Sequence, residues 1–156
     1  YLTKILETLK KDPFADLKAV TEADFKNGLL SETDINKLRV VLKDGFVNNQ
    51  SIKQIEKEIR ENVPLQDRRD GETLIISKDN RPNIIARTET VRLANEGLLN
   101  LYKENKIEQV RWLSAISNRT CPICEANNGK VYSLNESYGL IPAHVNCRCT
   151  WLSIME

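Results

Sequence analysis

Five residues in the last quarter of the chain carry chemistry: Cys121, Cys124, His144, Cys147 and Cys149. They are all the cysteines and the sole histidine in the sequence. Cys121-Pro122-Ile123-Cys124 is a C-x-x-C pair. Two residues between thiolates let both sulfurs face one ion while the intervening backbone N–H groups point at them. His144-Val145-Asn146-Cys147-Arg148-Cys149 supplies the second half. Cysteines that staple a small secreted fold are usually spread along the chain. Clustering with a histidine reads instead as metal ligation, and as a reducing compartment. Thiolate and imidazole donors favour zinc. A structural zinc takes four ligands, and this cluster offers five. Two sets stay open. All four cysteines bind with His144 beside them, or Cys121, Cys124, His144 and Cys147 bind and Cys149 stays outside. Without a metal, the alternatives are four free thiols or two disulfides, Cys121–Cys149 and Cys124–Cys147. Cys147 and Cys149 are too close to bridge each other comfortably.

The cluster reads as one structural zinc rather than a catalytic one. A catalytic zinc keeps an open position and a base nearby. Here the ligands fill the shell, and the adjoining acid is Glu125. The zinc deaminase signature, H-x-E followed by P-C-x-x-C, is not met. A nuclease using a histidine base would need a second histidine. Arg68-Arg69 and Arg87/Arg92 read as solvated faces before phosphate contacts. Arg92 and Glu96 have the i, i+4 spacing of a helix-surface pair. No Gly-rich phosphate loop and no Ser/His/Asp set stand out, so no small-molecule substrate is expected.

The elements that must position the cluster are read from periodicity. Residues 1–62 form a helical part. Leu2, Ile5, Leu6 and Leu9 make one amphipathic face, and Asp12-Pro13 starts another helix. Ser31 with Asp34 opens a helix carrying Ile35, Leu38 and Leu42, with Gly45 as its C-terminal stop. Ser51 and Gln54 form a capping box before Ile52, Ile55 and Ile59, and Pro64 ends that helix. Residues 63–80 are a polar connection, in which Leu74, Ile75 and Ile76 decide nothing. Asp79 or Asn80 caps a long helix with Pro82 in its first turn. It runs to about Asn105, with Ile84, Thr88, Val91, Leu98 and Tyr102 on one stripe and Gly97 inside. Alternation through Val110, Trp112, Ser114 and Ile116 predicts a strand. Val131–Leu134 and Thr150–Ile154 are further strands, and Asn127-Asn128-Gly129 is a turn. Trp112 and Trp151 belong to the core of this element. The fold class is α+β: a helical part, one long helix, and a small zinc-clasped β element within residues 81–156.

Composition narrows the partners. The 156 residues include 23 basic and 22 acidic side chains, a net charge of +1. A dedicated nucleic-acid domain is usually strongly basic, so DNA contact should be weak and non-specific. No apolar run approaches the roughly 18 residues of a membrane span.

Ala86-Arg87-Thr88-Glu89-Thr90, with Arg92, Ala94-Asn95 and Gly97, resembles the helix motif of the phage Mu protein F-like minor head proteins. Val110-Arg111-Trp112-Leu113 resembles the strand that follows it. Arg119–Cys124, Asn128–Tyr132 and Pro142–Thr150 extend the resemblance, which covers residues 84–152. It implies a minor capsid or head morphogenesis protein of a tailed virus or prophage, located in the virion. It implies association with the portal protein and other capsid proteins, a role in head assembly or DNA delivery, and no enzymatic activity. The alternative from the residues is a metal-dependent nuclease or toxin-like hydrolase acting on nucleic acid.

Overall fold

A computed structural model of the chain describes residues 17–19 and 30–155. The amphipathic face of Leu2–Leu9 and the helix start at Asp12-Pro13 lie outside the described residues. The architecture is mixed α+β. The chain divides into two compact units at the step from Glu89 to Thr90, and each is described by itself.

In the first unit, α1 (Glu32–Val47) and α2 (Ile52–Asn62) are both opened by capping boxes. The Ser31 and Ser51 side chains accept from the N–H groups of Asp34 and Gln54, and the Asp34 and Gln54 side chains accept in return from the cap N–H groups. Each box satisfies two donors that a helix start leaves orphaned. Leu38, Leu42, Phe46, Ile55 and Ile59 are essentially solvent-free. Gly45 does not stop α1, which continues to Val47 and ends at Asn48, with Asn49 in the left-handed region. Gly45 is buried because α2 comes too close for a side chain. A Cβ there would meet Ile55 Cγ1 at 2.6 Å.

The connection holds a hairpin. β1 (Arg68–Asp70) pairs antiparallel with β2 (Thr73–Ile76). Gly71 sits at φ 58° in the turn, a conformation glycine adopts without a Cβ penalty. Asp70-Gly71 is the dipeptide signal for it.

The long helix α3 spans Arg81–Glu104. It ends with Lys106 at φ 58° and the Ile107 N–H donating to Tyr102 O at 3.0 Å, a left-handed Schellman-type stop. Its buried face meets the expected stripe at Thr88 and is otherwise displaced from it. Ile84, Val91, Leu98 and Tyr102 are only partly buried. Ile85, Ala86, Thr88, Glu89, Arg92, Leu93, Asn95 and Leu99 are buried, as are Arg81, Pro82 and Gly97. Polar motif residues occupy that face, so a purely apolar period misplaces it. Arg92 is no solvated arginine. It is 8% exposed and pairs with Glu96 at 3.2 Å.

The second unit is built on a three-stranded antiparallel sheet of order β4-β3-β5, with β3 Gln109–Leu113, β4 Val131–Ser133 and β5 Thr150–Ile154. β3 stops at Leu113, so Ser114 and Ile116 lie beyond it. The strand expected at Val131–Leu134 ends at Ser133. Leu134 instead starts the short helix α5 (Leu134–Ser137), preceded in sequence by α4 (Pro122–Asn127). A Ser133/Glu136 capping box opens α5. Trp112 and Trp151 face each other across β3 and β5. They pack edge-on at 5.3 Å, with Tyr132 edge-on to Trp151 at 5.5 Å. Around them lie Val110, Leu99, Leu134, Ile141 and the three buried cysteines.

Candidate metal centre

Local folding turns each half of the motif inward. Cys121 is the N-cap of α4, with Pro122 in the first turn. Its sulfur accepts the Cys124 N–H at 3.4 Å. On the other side, Asn146 adopts φ 68°, a region that asparagine tolerates better than most residues. The Cys147 N–H closes back on His144 O at 3.3 Å.

All four cysteines are free thiols, and Cys124 and Cys147 Sγ stand 3.9 Å apart. That excludes a disulfide between them. His144 Nε2 lies 3.1 Å from both Cys121 Sγ and Cys124 Sγ. The five donor atoms form two triplets, Cys121/Cys124/His144 and Cys124/Cys147/Cys149, which share Cys124. A zinc–sulfur bond of about 2.3 Å separates tetrahedral sulfurs by about 3.8 Å and sulfur from nitrogen by about 3.5 Å. The Cys124–Cys147 edge meets this value. The two His144 edges are shorter, so a metal entering would push the imidazole outward by a few tenths of an ångström.

The candidates differ in where their protons sit. His144 Nδ1 lies 2.8 Å from the Val145 carbonyl. A carbonyl only accepts, so Nδ1 carries the hydrogen and Nε2 presents its lone pair to the cysteines. Cys121 is held below the usual thiol range by the Cys124 N–H, which favours its thiolate. Burial pushes Cys124 up, helped by the neighbouring Cys149 and Cys121 sulfurs. Burial also pushes Cys147 up, against the backbone N–H groups of Cys149 and Ala143. A bound cation reverses such desolvation by deprotonating the thiol.

Cys149, besides its place in the second triplet, belongs to a network built on Ser114. Ser114 Oγ accepts from Trp112 Nε1 at 3.0 Å and donates to Cys124 O at 2.6 Å. Its one hydrogen is thereby used. The 3.4 Å contact to Cys149 Sγ therefore has the Cys149 S–H as donor. Asn95 on α3 adds a second hold, its Nδ2 donating to Val91 O and Cys149 O at 2.8 and 3.2 Å. Sequence reasoning assigned neither residue to the centre. The available signal was that Ser114 shares the inward parity of Val110 and Trp112.

Residues 36–152 match the family model described as Phage Mu protein F like protein. The chain belongs to this family. No curated protein and no solved structure matches it. The matched span contains every element from Asn36 in α1 to Leu152 in β5, and all five residues of the Mu F-like cysteine–histidine cluster. The family is one of phage head morphogenesis proteins. No helix among the described residues is long and apolar enough to cross a membrane.

Proposed function

We propose that this Mu F-like protein is a minor component of a phage head that associates with the portal vertex and serves head assembly or DNA delivery. Family membership over residues 36–152 carries the reading. Residues 1–62 are the docking part for portal or capsid proteins. Residues 81–156 are the Mu F-like domain, reached through the connection at 63–80. DNA contact is weak and non-specific, as the net charge of +1 suits.

One zinc belongs to the second unit, held by Cys121, Cys124, His144 and Cys147, with Cys149 outside the shell. The observation behind this choice is the saturated Ser114 hydroxyl, which needs a protonated Cys149 as its partner. The zinc ties α4 and the 144–147 turn together, and the chemistry it supplies is structural. Both ring nitrogens of His144 are engaged, which disfavours a histidine-based nuclease. Two measurements test the proposal. Co-purification of the zinc-loaded chain with a portal protein encoded beside it is expected, and its absence under assembly conditions would refute the docking role. Zinc content should stay at one per chain in Cys149→Ala and fall in His144→Ala. The reverse result selects the four-cysteine set.

A further inference from the structure

At the metal centre itself opens a cleft of about 360 Å³, lined in part by Cys121, Cys124, His144 and Cys149 and by no carboxylate. Arg119, Arg148, Ser117, Thr120, His144 and Asn146 are among the residues that line it. Both arginines are exposed, and neither guanidinium has a hydrogen-bond or ion-pair partner among the described residues. This sets them apart from Arg69, which is committed to Asp67 at 3.3 Å and to Glu72 O, and from the buried Arg92. Ser117 Oγ accepts the Arg119 N–H at 3.2 Å, and its own hydrogen meets no described acceptor. The Thr120 hydroxyl is already used, donating to Ala115 O at 2.6 Å. The cleft therefore offers two planar cationic forks and one hydroxyl donor, with no carboxylate to neutralise them.

We infer that this cleft binds a phosphate group, with Arg119 and Arg148 as its clamp and the Ser117 hydroxyl as a third donor. Guanidinium forks match phosphate oxygens bidentately, which a lysine pair would not. The volume falls within the range of small-ligand sites, about 300–1,000 Å³. The inference uses the Cys121, Cys124, His144 and Cys147 ligand set proposed above for its charge balance. Three thiolates and one divalent cation leave a single negative charge, which one guanidinium offsets. The second guanidinium remains to attract an anion. The same chemistry is offered by free phosphate and by the phosphodiester backbone of nucleic acid. The head role is not needed for the argument.

The experiment uses the zinc-loaded full chain. Inorganic phosphate binding is followed by calorimetry, and binding of unrelated duplexes of equal length by anisotropy across a salt series. Arg119→Gln/Arg148→Gln is compared with the control Arg68→Gln/Arg69→Gln, with zinc content measured on every sample. The first pair should weaken phosphate binding at least tenfold while the control leaves it unchanged. If the ligand is a phosphodiester, phosphate competes with duplex, and the slope of log affinity against log salt falls in magnitude by about 0.9 for the one phosphate lost. Phosphate binding without duplex competition identifies free phosphate as the source. Failure of phosphate to bind the parent protein overturns the inference, as does unchanged affinity in Arg119→Gln/Arg148→Gln or equal loss in both pairs. Loss of zinc from Arg119→Gln/Arg148→Gln also overturns it, because the arginines would then serve the thiolates. The ligand set is tested separately by the Cys149 and His144 variants, so its failure can be told from failure of the cleft.

Discussion

Replacing Gly45 by alanine sets two known effects against each other. In a helix interior, alanine is favoured over glycine by about 1 kcal/mol. Here the new methyl would stand 2.6 Å from Ile55 Cγ1, 3.0 Å from Ile55 Cδ1 and 3.2 Å from Gln50 Oε1. Carbon atoms in favourable contact are about 3.5–4.0 Å apart, so roughly 1 Å must be found. Ile55 is 1% exposed. As a β-branched residue in a helix it is nearly restricted to one χ1 rotamer, so Cγ1 cannot swing aside. The adjustment falls on the α1–α2 spacing, and overpacking of this kind costs about 1–3 kcal/mol. The expected net effect of Gly45→Ala is destabilisation by up to about 2 kcal/mol. Urea unfolding followed by far-UV circular dichroism measures it. The same substitution in an Ile55→Ala background should be neutral or stabilising, because the obstructing atoms are gone. Stabilisation by about 1 kcal/mol in the parent chain would refute the close-approach argument.

Iodoacetamide should label Cys121 ahead of Cys124 and Cys147 in metal-free protein, because Cys121 is more exposed and its thiolate is favoured, and zinc should protect all three; mass mapping of the adducts checks the order. Cys124→Ser and Cys147→Ser should each unfold the β element while leaving α1 and α2 helical, since metal binding in a small element is largely folding free energy; unchanged thermal stability in both would rule out a structural site. Asp34 and Glu136 are held below the usual carboxylate range by their bonds to Ser31 and Ser133. Their stabilisation is therefore complete above the unfolded values near 4 and is lost as pH falls through the lower folded values. A carbon-detected NMR titration should find both midpoints below those of Ser31→Ala and Ser133→Ala, and equal midpoints would remove the capping-box account.

Local signals that carry their own mechanism were legible. The capping boxes at Ser31 and Ser51, the long helix with Pro82 in its first turn, and the strands through Trp112 and Trp151 all follow from side chains bonding to nearby backbone or from simple alternation. Gly45 shows where that logic ends. A helix-stop glycine and a close-packing glycine look alike until the neighbouring helix is known, and Ile55 is ten residues away in sequence. The face of α3 was misplaced, apart from Thr88, because Glu89, Arg92 and Asn95 are buried polar residues, which no hydropathy period can locate. At the centre, residue types and spacing brought the five donors to attention. They could not rank Cys149 against His144, because the contacts on which the proposed choice rests, those of the Ser114 hydroxyl, are made between residues distant in sequence.

Trp112 and Trp151 are the two tryptophans of the sequence, and both lie in the core that contains the buried cysteines. Indole emission from the intact protein therefore originates wholly in the second unit. Trp112 is also wired to the centre, its ring N–H bonded to the hydroxyl that contacts Cys149 and the Cys124 carbonyl. The chain thus contains a native optical reporter. Excitation near 295 nm would follow ion loading and the melting of the β element alone, while amide circular dichroism, dominated by the helices, would follow the rest.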